Sequence, residues 1–159
     1  MSVESRLKSL GISLSVGLSP IGKFTYIPAK RTGNLIFVSG QVPRHEVGGK
    51  LELLQGKVGA TVDLAAAQQA ARLCGISILS VLKDTIGDLD KVASIVKVDG
   101  FVNSTEDYMD HPLVINGCSD LFVEVFGSDI GSHARAAVGC SSLPRGVPVE
   151  IAATFEVRE

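Results

Sequence analysis

One stretch limits the fold more than any other. Over residues 63–86, Leu64, Ala67, Ala71, Cys74, Ile78 and Leu82 recur at spacings of three and four. That period draws a single apolar face along a long helix. Thr61 reads as its N-cap and Gly87 as its stop. A helix with one apolar face must lie on an apolar surface. The C-terminal segment supplies one: Val147, Val149, Ile151, Ala153, Phe155 and Val157 alternate onto one side of a strand, leaving Glu150, Ala152 and Thr154 on the other.

The remaining segments fit around this pair. Residues 2–10 predict a short helix with Val3, Leu7 and Leu10 on one side. Residues 13–23 read as extended loop and 24–29 as a first strand. Thr32-Gly33-Asn34 signals a turn before the apolar strand 35–39. Gly48-Gly49 marks 43–50 as a loop or hairpin tip, followed by a weak strand candidate at 50–58. A strand over 89–102 and a helical region over 108–126, with Pro112 in or before its first turn, precede two final strands at 134–143 and 147–157. The order is strand, strand, helix, strand, helix, strand, strand. It predicts residues 1–159 as a single α+β domain, a mixed sheet with two helices packed on one face and an N-terminal helical extension over 1–12. The other face of that sheet then needs a cover, which an oligomer packing sheet faces together would provide.

Composition excludes several classes. The chain has 159 residues and is 45% hydrophobic, enough for a real core and too much for disorder. With no Trp, that core rests on Val, Leu, Ile and Ala. Fifteen basic against 17 acidic residues give a net charge of −2, with no basic run or stripe, which argues against nucleic-acid binding. Cys74, Cys118 and Cys140 are odd in number and far apart, so they read as buried small side chains in a reducing compartment rather than as a disulfide framework or zinc site. No signal-peptide core opens the chain and no apolar run is long enough for a bilayer, so a soluble cytoplasmic protein is expected. Neither a nucleophile elbow, a P-loop nor a dinucleotide fingerprint is present.

Chemistry concentrates in 133–150. Arg135 sits among small residues, Ala134, Ala136, Ala137 and Gly139. It reads either as a surface arginine at a strand end or as a bidentate anchor for a carboxylate. Glu150 is either an outward-facing strand residue paired with a lysine or a carboxylate that activates water. His133 alternates onto the strand face of Arg135, where it lines a cleft or plays a structural role. The Pro144-Arg145-Gly146 turn predicts a hairpin between the last two strands. In such a hairpin Arg135 and Glu150 are offset by about five positions, ~17 Å. One chain could not then bring both to one small ligand, which points to a site between two chains.

Two motifs carry a resemblance. The run from Gly33-Asn34-Leu35 through Ser39-Gly40-Gln41-Val42-Pro43 resembles the early strand signature of the YjgF/YER057c/UK114 family, also called the Rid (reactive intermediate deaminase) or endoribonuclease L-PSP-like family. His133-Ala134-Arg135 through Leu143-Pro144, then Val149-Glu150-Ile151, resembles its C-terminal signature. The resemblance implies a chorismate-mutase-like fold, a homotrimer with sites in the clefts between subunits, and hydrolysis of reactive enamines and imines of 2-amino acids to 2-keto acids and ammonia. It implies catalytic roles for Arg135, Glu150 and Tyr26: Arg135 anchors the substrate carboxylate, Glu150 positions the attacking water, and Tyr26 can hydrogen-bond either. It places Ser39, Gly40, Asn116 and Ala137 beside them as substrate-binding residues, and implies neither a metal nor an organic cofactor. Ala137 stands where the deaminase branch has a cysteine, and Ala134 where it has a proline. The longer N-terminus, the 43–50 loop and the segment around 110–113 resemble a separate, longer branch. The expected partners are a small carboxylate-bearing substrate and two further copies of the chain, with no nucleic acid and no membrane. A non-catalytic keto-acid-binding regulator would use the same Arg135 fork without needing Glu150; a third reading, an endoribonuclease-type activity, comes from the family label alone, and the slight negative charge and absence of aromatic-basic patches argue against it.

Overall fold

The computed structural model describes residues 1–16 and 24–159; the expected loop over 13–23 lies largely outside them. After helix α1 (Val3–Ser9) come strands β1 (Ala29–Thr32), β2 (Leu35–Gln41), β3 (Arg44–Val47) and β4 (Lys50–Leu53). Helix α2 (Leu64–Ile86), strand β5 (Val92–Asn103), helix α3 (His111–Phe126), the single turn α4 (Ser128–Gly131), and strands β6 (Ala134–Cys140) and β7 (Val149–Val157) complete the order. The α+β expectation holds: β1-β2-β7-β5-β6 form one mixed sheet, with β5 and β6 parallel and the other pairs antiparallel.

Helices α2 and α3 lie side by side on one face of that sheet. Ile78, Leu79 and Leu82 of α2 and Ile115, Leu121 and Phe122 of α3 are fully buried against Ile36, Ile95, Ile151 and Phe155. Each such side chain contributes about 1.5–3 kcal/mol by leaving water. By length and composition alone α2 could cross a bilayer, which the sequence reading did not foresee, but much of it is buried inside the fold, from Ala67 and Ala71 through Cys74 to Leu82. The two helices touch closely because Gly117 of α3 sits on the backbone of α2. A Cβ there would lie 2.0 Å from the Gln68 carbonyl oxygen.

Several boundaries differ from expectation for local reasons. The helix over 63–86 is capped by Asp63, whose carboxylate accepts from the Ala66 N–H at 2.8 Å, and not by Thr61. The Thr61 hydroxyl instead accepts from the Lys57 N–H at 3.1 Å. The first strand begins only at Ala29, since Pro28 has no N–H to give a ladder. The 43–50 segment folds into its own hairpin, β3 with β4, around Gly48-Gly49, both with positive φ. Helix α3 starts at His111 rather than 108, with Pro112 in its first turn. The largest correction concerns the last two strands. They are not a hairpin: β5 lies between β6 and β7, pairing parallel to one and antiparallel to the other. The connection over 141–148 therefore passes across the end of the sheet. It is held there by Asn103, whose amide donates to the Val147 and Gly56 carbonyls at 3.2 and 3.3 Å, and by Lys57, which donates to Asn103 Oδ1 and the Ser141 carbonyl at 2.5 and 2.7 Å.

Candidate active site

The seven residues marked in the sequence fall into two groups on opposite faces of the sheet. Glu150 sits in β7 between buried Val149 and Ile151, across from Phe101 of β5, so it points away from the helices. Strand β2 brings Ser39 and Gly40 to it through a bulge: Val38 pairs with Ala153, yet Gln41 pairs with Ile151. The extra residue re-aims the chain locally. Gly40 then lies directly on the Glu150 carboxylate, where a Cβ would meet Cδ and Oε2 at 3.1 Å. Ser39 is pinned by its own hydroxyl, which donates to the Ile27 carbonyl at 2.7 Å, and that bond places the neighbouring Tyr26. Tyr26 stacks on Phe24 with ring centroids 5.8 Å apart. Together Phe24, Tyr26, Ser39, Gly40, Arg44 and Glu150 line a cavity of about 490 Å³, closed on one side by Pro144 and Arg145. Burial in this cavity wall pushes the Glu150 carboxyl above its ordinary range. A carboxylate raised in that way is a stronger proton acceptor than an ordinary one.

The second group faces the helices. Arg135 of β6 pairs with buried Val98, so its side chain rises on the α3 side of the edge strand. Nη1 donates to Asn116 Oδ1 at 2.8 Å and to Ser119 Oγ at 3.1 Å, and Nη2 donates to the Pro112 carbonyl at 3.1 Å. Positions 112, 116 and 119 form one stripe along α3, a full two turns of helix turned to the same edge. Three of the five guanidinium donors are committed to that stripe. Nε and one Nη2 proton are left as a fork. Ala137 lies two residues on in β6, packed against the core on the same face.

Arg135 lies level with Val98 and Ala153, so it is two strands across and three residues along from Glu150, about 14 Å at normal strand spacing and rise, and on the opposite face of the sheet. The expected separation within one chain holds, but its cause is the intervening β5 and not a hairpin offset. Sequence reasoning placed Asn116 with Arg135 but missed Ser119, and on the other half it missed Phe24, Arg44 and Arg145. Helical spacing, three residues past Asn116, was the available signal for Ser119. No sequence pattern marks Arg44, which reaches the cavity only because β3 folds back after Pro43. Cys74 and Cys118 are buried thiols whose ionisation burial opposes strongly; neither lines the Glu150 cavity. Among the described residues no three His, Cys, Asp or Glu side chains cluster in a way that could hold a metal ion.

Comparison with known proteins places this architecture. Residues 4–147 match the family described as "YjgF/chorismate mutase-like, putative endoribonuclease". The chain is 39% identical over 155 residues to Protein TCP17 of Trypanosoma cruzi, covering 98% of this chain and 94% of that one. Among solved structures it is 43% identical to Atu1372 of Agrobacterium tumefaciens, a protein of unknown function, with a TM-score of 0.86 over 99% of this chain and 94% of the other. A "putative endoribonuclease" of Shewanella oneidensis is 29% identical, with a TM-score of 0.89 over 99% of this chain and all of its own.

Proposed function

The chain belongs to the YjgF/chorismate mutase-like family, and from that membership we propose that it hydrolyses reactive imines and enamines of 2-amino acids in a cleft between subunits of a homotrimer. One observation carries the reading: a single chain displays two incomplete halves on opposite faces. The Arg135 fork is held open by α3, and its own hydrogen bonds go to an amide, a hydroxyl and a carbonyl rather than to a carboxylate. The Glu150 cavity has a base and an aromatic wall, and Arg135 is not among its lining residues. Apposing one half to the other across a subunit boundary supplies both. The sheet face opposite the helices supports that assembly, since it exposes Phe37 and Val138 at 45% and 46% and carries Phe101 between them.

In this reading the fork takes the substrate carboxylate and fixes the C=N carbon near Glu150 of the adjoining subunit. Glu150 accepts a proton from a water as its oxygen bonds to that carbon. The C=N π pair moves to nitrogen, which takes a proton. The resulting carbinolamine expels ammonia, and its hydroxyl becomes the carbonyl of the 2-keto acid. Imines hydrolyse readily in water, so orientation and one proton transfer suffice. Tyr26 is placed to hydrogen-bond the water or the substrate.

The test couples a pyridoxal-phosphate-dependent threonine or serine dehydratase to the protein and follows the lifetime of the released imine. Acceleration over buffer, lost in Arg135→Ala and Glu150→Gln, is the expected result. Carboxylate binding without acceleration would replace the enzyme with a keto-acid-binding protein. RNA cleavage that survives both substitutions would replace both readings.

A further inference from the structure

We infer that His133 is a positioning residue for Arg135, acting through Ser119, whose hydroxyl it turns so that a lone pair meets the Nη1 end of the guanidinium behind the carboxylate fork. The inference rests on the carboxylate-anchor reading of Arg135 and adds to it the device that aims the anchor. His133 does not touch the fork itself.

The bonds can be followed one at a time. His133 Nδ1 lies 2.6 Å from the Gly131 carbonyl oxygen. A carbonyl only accepts, so Nδ1 carries the proton. Half-buried and close to the Arg135 cation, the ring is held below its ordinary basicity and stays neutral at physiological pH. A neutral ring protonated on Nδ1 has a bare Nε2. That nitrogen lies 2.9 Å from Ser119 Oγ, so the serine hydroxyl must donate to it. With its one proton spent, Ser119 Oγ turns lone pairs toward Arg135 Nη1, 3.1 Å away, and accepts. The same nitrogen donates to Asn116 Oδ1, so the Nη1 end of the guanidinium is fixed and the Nε and Nη2 edge is presented outward.

The far end of the chain is rigid as well. Gly131 closes α4 and is pressed so close to α3 that a Cβ would lie 2.7 Å from the Phe122 carbonyl oxygen and 2.8 Å from Val123 Cα. Its carbonyl therefore has a set position relative to α3. Phe122 also meets the His133 ring edge-on, at 6.1 Å and 78°, which fixes the ring plane. A threonine or asparagine at 133 could satisfy Gly131 but could not span to Ser119. Histidine, with polar atoms at both ends of a flat rigid ring, does both.

The experiment measures 2-oxobutanoate affinity by calorimetry in wild type, His133→Asn, His133→Gln, Ser119→Ala and the Ser119→Ala/His133→Asn double variant. Asparagine keeps the Gly131 bond and loses Ser119, and should weaken binding about three- to tenfold. Glutamine, whose amide oxygen can stand where Nε2 stood, should restore it. Ser119→Ala should match asparagine, and the double variant should be no worse than either single, because one chain is cut twice. In turnover the loss should appear in KM with kcat kept. Nitrogen NMR of the ligand-free wild type gives a second readout, with Nδ1 protonated and Nε2 bare. Equal binding by wild type and His133→Asn, additive losses in the double variant, or a protonated Nε2 would each overturn the inference while leaving the anchor intact. Failure of the wild type to bind the keto acid at all would remove the anchor, and the inference with it.

Discussion

Glu150 shows how one residue can serve function against stability. Burial raises its carboxyl above the ordinary value, so between the two values the folded protein holds a proton that the unfolded chain has released. The contribution of this group to stability is therefore full below the ordinary value and falls as pH rises toward the folded one. Glu150→Gln removes that loss. Thermal melts should show the variant at least as stable as wild type at neutral pH, with the advantage disappearing at mildly acid pH. A variant less stable than wild type at neutral pH would contradict the desolvation account. The same carboxylate must be ionised to act as a base, so the activity of the wild type should drop on the acid side through the raised value. Arg135 answers to a different test. Arg135→Lys keeps the charge but has no planar fork to span Asn116, Ser119 and a substrate carboxylate. Keto-acid affinity should fall about tenfold or more, and near-wild-type binding would show that charge alone suffices.

At the scale of elements, two contacts hold the halves in place. The first is the crossing of α2 and α3 at Gly117, which sets the height of the 112/116/119 stripe over β6. Gly117→Ala forces a methyl into the Gln68 carbonyl and should cost about 1–3 kcal/mol by overpacking, with the melting temperature as readout. The second is the Asn103 and Lys57 brace under the 141–148 connection, which keeps Pro144 and Arg145 at the cavity mouth. Asn103→Ala leaves several buried polar groups unanswered and should cost about 1–3 kcal/mol in denaturant unfolding. The elements themselves were legible in the sequence wherever periodicity was strong, as in α2 and β7. What stayed hidden was pairing. Two consecutive strands joined by a Pro-Arg-Gly turn look like a hairpin locally, and nothing in their own residues announces that β5 will insert between them. The insertion is decided by burial: β5 carries Val92, Ile95, Val98 and Val102 on its core side and gains cover only in the middle of the sheet. Arg135 and Glu150 were visible as misplaced charges among small or apolar neighbours. Ser119 and Arg44 were not, because each looks like an ordinary surface residue until the fold brings it to its partner.

For the molecule as a whole, a composite site depends on the sheet face left open by the helices. Phe37, Phe101 and Val138 make it too apolar for comfortable exposure, and the two half-sites lie on either side of the sheet that it belongs to. Val138→Glu should shift the mass by light scattering from three chains to one and abolish turnover, although Val138 lines neither half. Subunit mixing tests the composite site most directly. Arg135→Ala and Glu150→Gln, each inactive alone, are unfolded together and refolded at equal amounts. With random assembly about three trimers in four are mixed, and in each of these about one cleft in three joins an intact Arg135 to an intact Glu150 from the neighbour, so activity of the whole mixture should return to roughly a quarter of wild type. A mixture that stays inactive, while light scattering shows that mixed trimers have formed, would contradict a site shared between chains.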